Sequence, residues 1–292
     1  MTKWTLLLAS SLALAAAPAS AKLPIPAAIF TDPVRDLKHP ARMEVLHVPS
    51  GDVALNGVAY LASGPGPHPT LVILHGLPGN EKNLDLAQAV RRAGWNAVTF
   101  NYRGSWGSPG RFSFAGNLAD GAAALAYLRD PANEKKLGID PARIALAGHS
   151  MGGWVAAMTA ERDPKLMGTV LISALNMGGR KLAHDVTPAA MAEDMESLST
   201  TAQEMADELG QQQPRFDWIP GISGLARRPL LVLSSDDGFA PDTDALARAV
   251  RGVRGSRVTT LHVATDHGWS DRRIRLQSEV IRWISTLKPV AQ

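Results

Sequence analysis

The five residues Thr70-Leu71-Val72-Ile73-Leu74 form an almost unbroken apolar run. A run this short and this apolar is expected for a strand buried on both faces. Such a strand needs helices above and below its sheet, so the rest of the chain has to supply them.

It does so by alternation. A helix is expected over 83–93, stopped by Gly94, and a strand over 96–102. An alanine-rich helix over 117–128 follows and ends before Asp130-Pro131. A short strand over 144–147, a helix over 152–161 and a strand over 168–173 come next. After an insertion at about 176–228 the pattern resumes, with a strand over 229–234, a helix over 242–250 and a strand over 257–263. The last helix spans 271–287, with Ile274, Ile281, Ile284 and Leu287 as its buried face. Upstream, 44–49 and 53–62 read as a hairpin through Ser50-Gly51-Asp52. The fold class is therefore α/β, a mostly parallel, doubly wound sheet with helices on both faces.

Within the insertion, Thr187-Pro188 is a helix start and Gly210 a stop. Met191, Met195, Leu198, Ala202, Met205 and Leu209 make one apolar stripe between them. Thr201 and Glu204 also form a capping-box signature, which would begin a second helix, so one helix and two both stand. Seven acidic residues and no Lys or Arg lie between Asp185 and Gly210. They suit a solvated helix face, or a charged rim that sorts substrates.

The chain has 292 residues, 45% apolar and 20% charged, as in an ordinary globular protein. The net charge, 30 − 27 = +3, is too small and too evenly spread to indicate a nucleic-acid binder. Cysteine is absent, which excludes disulfides, thiolate metal sites and thiol nucleophiles. Residues 1–21 have a secretory leader's form: Lys3, an apolar stretch over 4–17, and Ala19-Ser20-Ala21 as a cleavage site before Lys22. That predicts a periplasmic or secreted protein. No other segment is apolar enough to span a bilayer, and no stable membrane insertion is expected. Residues 22–42, with Pro24, Pro26, Pro33 and Pro40, read as an extended arm, and 43–288 as the domain proper.

Four turns at strand ends hold the chemistry. Gly148-His149-Ser150-Met151-Gly152 matches G-x-S-x-G between an expected strand and an expected helix. In that setting the glycines permit a tight turn that projects the Ser150 hydroxyl above the sheet edge. His75-Gly76-Leu77-Pro78-Gly79 follows the buried strand, and its Leu77 N–H, with that of Met151, is the candidate oxyanion hole. A serine needs a base and an acid to orient it. Asp236-Asp237 follows strand 229–234 and His267 follows strand 257–263, in the chain order Ser…Asp…His. His149 is expected to pack or hydrogen-bond inside the turn, His75 to shape the early loop, and His262 to pack in its strand.

With Asn101-Tyr102-Arg103-Gly104-Ser105 and Asp266-His267-Gly268, these motifs resemble the α/β-hydrolase superfamily, in its dienelactone-hydrolase and prolyl-oligopeptidase-like branch. The resemblance covers roughly 43–288. It implies Ser150 as nucleophile, His267 as base, and Leu77 and Met151 as oxyanion donors. Its Asp-x-x-x-Pro pattern favours Asp237, with Pro241, over Asp236. It implies no cofactor and no metal. The expected activity is hydrolysis of carboxylic esters with small or medium acyl groups, through an acyl-enzyme. The alternatives are a peptidase or amidase, and a catalytically idle binding protein that kept the fold. About 20 residues between leader and first strand are too few for the propeller that often accompanies the peptidases. Trp106 and Trp218 are candidates to line an acyl pocket, and the expected partner is a small ester or short peptide-like molecule.

Overall fold

A computed structural model describes residues 24–179 and 187–290. The leader and its cleavage point lie outside the described residues, as does the 180–186 part of the insertion.

Eight strands form one sheet: β1 (Arg42–Ser50), β2 (Val53–Leu61), β3 (His68–Leu74), β4 (Asn96–Phe100), β5 (Ile139–His149), β6 (Thr169–Ile172), β7 (Leu230–Ser234) and β8 (Val258–His262). Their order is β1-β2-β4-β3-β5-β6-β7-β8. β2 is antiparallel to both neighbours and every other pair is parallel. β3, the apolar run, lies centrally between β4 and β5. Its side chains alternate between two cores: Val72 and Leu74 enter one face, Leu71 and Ile73 the other. Each such buried side chain contributes about 1.5–3 kcal/mol. β5 is longer than its apolar stretch because both ends pair, Ile139 with His68, and Gly148 and His149 with Leu171 and Ile172.

The helices are α1 (Leu84–Arg92), α2 (Phe114–Leu128), α3 (Pro131–Leu137), α4 (Met151–Ala160), α5 (Pro188–Met191), α6 (Ala202–Phe216), α7 (Ile222–Leu225), α8 (Ala240–Arg251) and α9 (Arg273–Ile284). Every residue of α4 is buried, so it is the central helix of the layer beside β5. Asp130-Pro131 does more than end α2. Asp130 accepts hydrogen bonds from Ala132 and Asn133 N–H and starts α3, which Gly138 closes in the left-handed conformation. No helix among the described residues is long and apolar enough to cross a membrane.

Among the described residues the insertion holds one long helix, α6, and two single-turn helices, α5 and α7. Thr187 caps α5, and the Thr201–Glu204 capping box starts α6. Gly210 does not stop α6, which continues to Phe216. Burial of Met205, Leu209 and Phe216 along one side outweighs the roughly 1 kcal/mol helix cost of a glycine. Ile274 is a second correction: it is 55% exposed. The first turn of α9 is held instead by Arg273, whose guanidinium pairs with Asp85 and donates to Asn83 Oδ1.

The insertion is pinned to the domain by backbone pairing. Trp106 N–H donates to Ser197 O (3.0 Å), Ser199 N–H to Gly104 O (2.7 Å), and Phe112 N–H to Ser199 O (3.2 Å). Glu208 then accepts from the N–H groups of Phe114 and Ala115, both at 2.8 Å, at the start of α2. Glu204 belongs to the capping box and pairs with Arg111. Both acidic residues therefore have structural tasks.

Candidate active site

Ser150 sits where β5 passes into α4, with φ 57° and ψ −127°. A non-glycine residue with such a backbone is strained and persists only where its surroundings fix it. The flanking glycines show what fixes it. A Cβ on Gly148 would lie 2.0 Å from Gly152 O, and one on Gly152 would lie 2.3 Å from Leu74 O. A larger residue at Gly148 would force the turn open against the start of α4, and one at Gly152 would push the turn away from the end of β3. Ser150 is 9% exposed, at the N-terminus of a helix whose dipole favours negative charge nearby.

The loop after β3 reaches the same point. A Cβ on Gly76 would be 2.8 Å from Ser150 Cβ, so the loop that carries Leu77 passes against the serine. Among the described residues, no acceptor faces the N–H of Leu77 or of Met151. His75 is buried and donates from Nδ1 to Gly76 O at 2.7 Å. Burial lowers its pKa from 6.5 to about 4, keeping the ring neutral. Trp106 Nε1 donates to Pro78 O at 2.7 Å, and the Lys82 ammonium lies 4.6 Å above the Trp106 ring. Trp106 is thus part of the loop's support as well as a partly exposed surface, at 40%. Trp218 is different. It is fully buried in the apolar core and presents no surface to a ligand, because the segment after α6 folds inward on Asn176 and Asp217.

His267 follows β8 and donates from Nδ1 to Asp237 Oδ2 at 2.7 Å, the tautomer in which the neutral ring keeps its lone pair on Nε2. Asp236, its neighbour in sequence, turns outward and pairs with His262 Nε2 at 2.9 Å. The second oxygen of Asp237 accepts from Phe239 N–H at 2.9 Å, and Ser235 Oγ donates to Oδ2 at 2.9 Å. Burial pushes the Asp237 carboxyl up, but the hydrogen bonds from His267, Phe239 and Ser235 outweigh it and hold its pKa below the usual value. The side chain of Asp237 is 2% exposed and that of His267 36%.

His149, the residue before Ser150, ties the Ser150 turn to the His267 loop, while Ser150 Oγ itself makes no hydrogen bond to His267 among the described residues. His149 Nε2 donates to His267 O at 2.8 Å, and the two rings are 4.7 Å apart. Burial depresses its pKa to about 4, so it stays neutral beside His267. Phe239 packs edge-on against His267, with ring centroids 5.4 Å apart. The Asn101–Ser105 motif has a supporting place. Arg103 clasps buried Asp120 through its backbone N–H (2.8 Å), Nε (2.9 Å) and Nη2 (2.7 Å), and Ser50 Oγ adds a bond of 2.7 Å. This locks the loop after β4 to α2.

Sequence reasoning did not anticipate the His149 bond to the His267 carbonyl, the Phe239 contact, or Ser173, Ser235 and Trp269 behind Asp237. Serine followed by two aspartates after a strand was the available signal for Ser235. Nothing local distinguished Ser173 or Trp269 from packing residues.

Solved structures share this architecture. An esterase of Pyrobaculum calidifontis superposes with a TM-score of 0.65 at 22% identity, over 85% of this chain and 86% of that one. A carboxylesterase cloned from a metagenomic library gives 0.62 at 21% identity, over 86% and 91%. An acylaminoacyl peptidase of Pyrococcus horikoshii gives 0.65 at 16% identity, over 88% of this chain and 43% of that one. At these identities the likeness is one of fold. Two uncharacterized proteins of Mycobacterium tuberculosis are 32% identical over 126 residues, which is 43% of this chain and 43% of the relatives' own length. The alpha/beta hydrolase family's sequence model matches residues 71–290, most of the chain, and with the eight-stranded sheet this makes the protein a member of the alpha/beta hydrolase family.

Proposed function

We propose that this hydrolase is a serine esterase that cleaves carboxylic esters of small or medium acyl groups by two-step acyl transfer. One observation carries the reading: a strained serine at a strand–helix turn shares one sheet edge with a histidine whose Nδ1 is bonded to a buried carboxylate. In that arrangement His267 Nε2 takes the proton from Ser150 Oγ as the oxygen attacks the ester carbonyl. Asp237 keeps the imidazole in the required tautomer and stabilises its charged form. The N–H groups of Leu77 and Met151 receive the developing oxyanion. His267 then protonates the departing alkoxide and later activates the water that releases the acid. Esters are preferred over amides in this reading because an alkoxide leaves with less help from the acid. The esterases among its structural neighbours support it as analogies of fold. The leader-like residues 1–21 support a site of action beyond the cytoplasmic membrane.

The test is labelling by a fluorophosphonate, with Ser150→Ala alongside, and hydrolysis of p-nitrophenyl esters of increasing chain length beside aminoacyl anilides. Labelling lost in Ser150→Ala, with fastest turnover on short esters, is expected. Anilides cleaved faster than every ester would replace the esterase reading with an amidase. A native protein that neither labels nor turns over would end the serine mechanism. Protein recovered from the expressing cell should begin at Lys22 if the leader is cleaved, and at Met1 if it is not.

A further inference from the structure

The acid of this site has a support that reaches through two further loops. Ser173 follows β6 with φ 43°, and Trp269 follows His267 with φ 58°. Both backbones are strained, and both side chains are fully buried, as is Ser235. Trp269 Nε1 lies 2.9 Å from Ser173 Oγ, Ser173 Oγ 2.6 Å from Ser235 Oγ, and Ser235 Oγ 2.9 Å from Asp237 Oδ2.

The direction of every bond in this row follows from its ends. An indole N–H only donates, and an ionised carboxylate only accepts. Ser235 has one hydroxyl proton and gives it to Asp237, so towards Ser173 it must accept. Ser173 accepts from Trp269 and gives its own proton to Ser235. The four groups are therefore aligned head to tail, Trp269 to Ser173 to Ser235 to Asp237, and each bond polarises the next. The last bond lands on Oδ2, the same oxygen that accepts from His267 Nδ1.

We infer that Ser235, Ser173 and Trp269 are positioning residues of the reaction: a one-way chain of donors that fixes the Asp237 carboxylate against His267. The inference rests on the proposed serine mechanism. With the chain cut, Oδ2 retains only His267, and the carboxylate pivots about the remaining bond from Phe239 N–H. The imidazolium formed during attack then loses part of its counter-charge.

The test uses full-length Ser235→Ala, Ser173→Ala and Trp269→Phe, each with steady-state kinetics across pH on a p-nitrophenyl ester. Losing one hydrogen bond to a charged group should lower kcat by roughly 10-fold to 100-fold for Ser235→Ala, with KM little changed. The acidic limb of kcat/KM should move to lower pH, because the histidine is less well stabilised when charged. Ser173→Ala and Trp269→Phe should move the same quantities less. Ser235→Thr keeps the hydroxyl and should recover most of the rate. Wild-type kcat and an unmoved acidic limb in Ser235→Ala would overturn the inference. So would Ser235→Thr as slow as Ser235→Ala with the limb in place, which would mark a packing role alone. Ser150→Ala runs as the separate control: undiminished turnover there would reject the mechanism itself, whatever the chain does.

Discussion

Gly152→Ala tests how closely the hydroxyl-bearing turn is fitted to β3. The new Cβ would lie 2.3 Å from Leu74 O and 2.4 Å from His75 O. These are main-chain atoms at the end of a central strand, so no side chain can swing aside. Reaching an ordinary contact of 3.4 Å needs a separation of about 1.1 Å between the turn and the strand end. Both candidate oxyanion donors ride on these two parts, Leu77 on the loop after β3 and Met151 on the turn. A misplacement of about 1 Å in such a constellation costs on the order of 100-fold in rate, or about 2.7 kcal/mol. Overpacking should also remove about 1–3 kcal/mol of stability, at roughly 2–4 °C in Tm per kcal/mol. Ester hydrolysis and calorimetry on the same preparation read both effects. Gly210→Ala is the matched control. Its Cβ meets nothing within 4 Å and stands in α6, so stability should rise by up to about 1 kcal/mol with activity unchanged. Wild-type rate and Tm in Gly152→Ala would refute the reasoning about the turn.

Further outcomes follow from neighbouring groups. Asp237→Asn should lower kcat by about 10⁴-fold, whereas Asp236→Asn, at an exposed pair with His262, should stay within about twofold in parallel kinetics. His75 and His149 have folded pKa values near 4 against 6.5 unfolded, so between these values the unfolded chain binds more protons. Their contribution to stability is complete above pH 6.5 and is lost as pH falls to about 4, by at most about 3 kcal/mol each. Urea unfolding across that window should show the slope, and His149→Gln should flatten it. Asp120→Ala strands the half-buried Arg103 guanidinium and should cost about 3–5 kcal/mol in the same unfolding assay.

The parts of this molecule legible from sequence are those where one local rule settles the outcome. The run 70–74 could only be a doubly buried strand, and G-x-S-x-G has a steric cause, since Gly148 and Gly152 each lack room for a Cβ. Asp130-Pro131 marked the end of α2 correctly but hid the start of α3, because the same residues that follow one helix can cap the next. Gly210 misled because Phe216 lies beyond it, and tertiary burial overrode propensity. Between the adjacent aspartates only the Asp-x-x-x-Pro pattern of the resemblance favoured Asp237; no local rule did, because what separates them is the direction of each side chain at the end of β7. Ser173, Ser235 and Trp269 come from three separate loops, and apart from the Ser-Asp-Asp signal at Ser235 a hydrogen-bond row across 62 and 96 residues leaves no local trace.

The bond from His149 to the carbonyl of His267 joins residues 118 apart in the chain. That single bond makes two distant loops one mechanical unit: a substitution that strains the loop after β8 is transmitted to the turn that carries Ser150, whatever the separation in sequence.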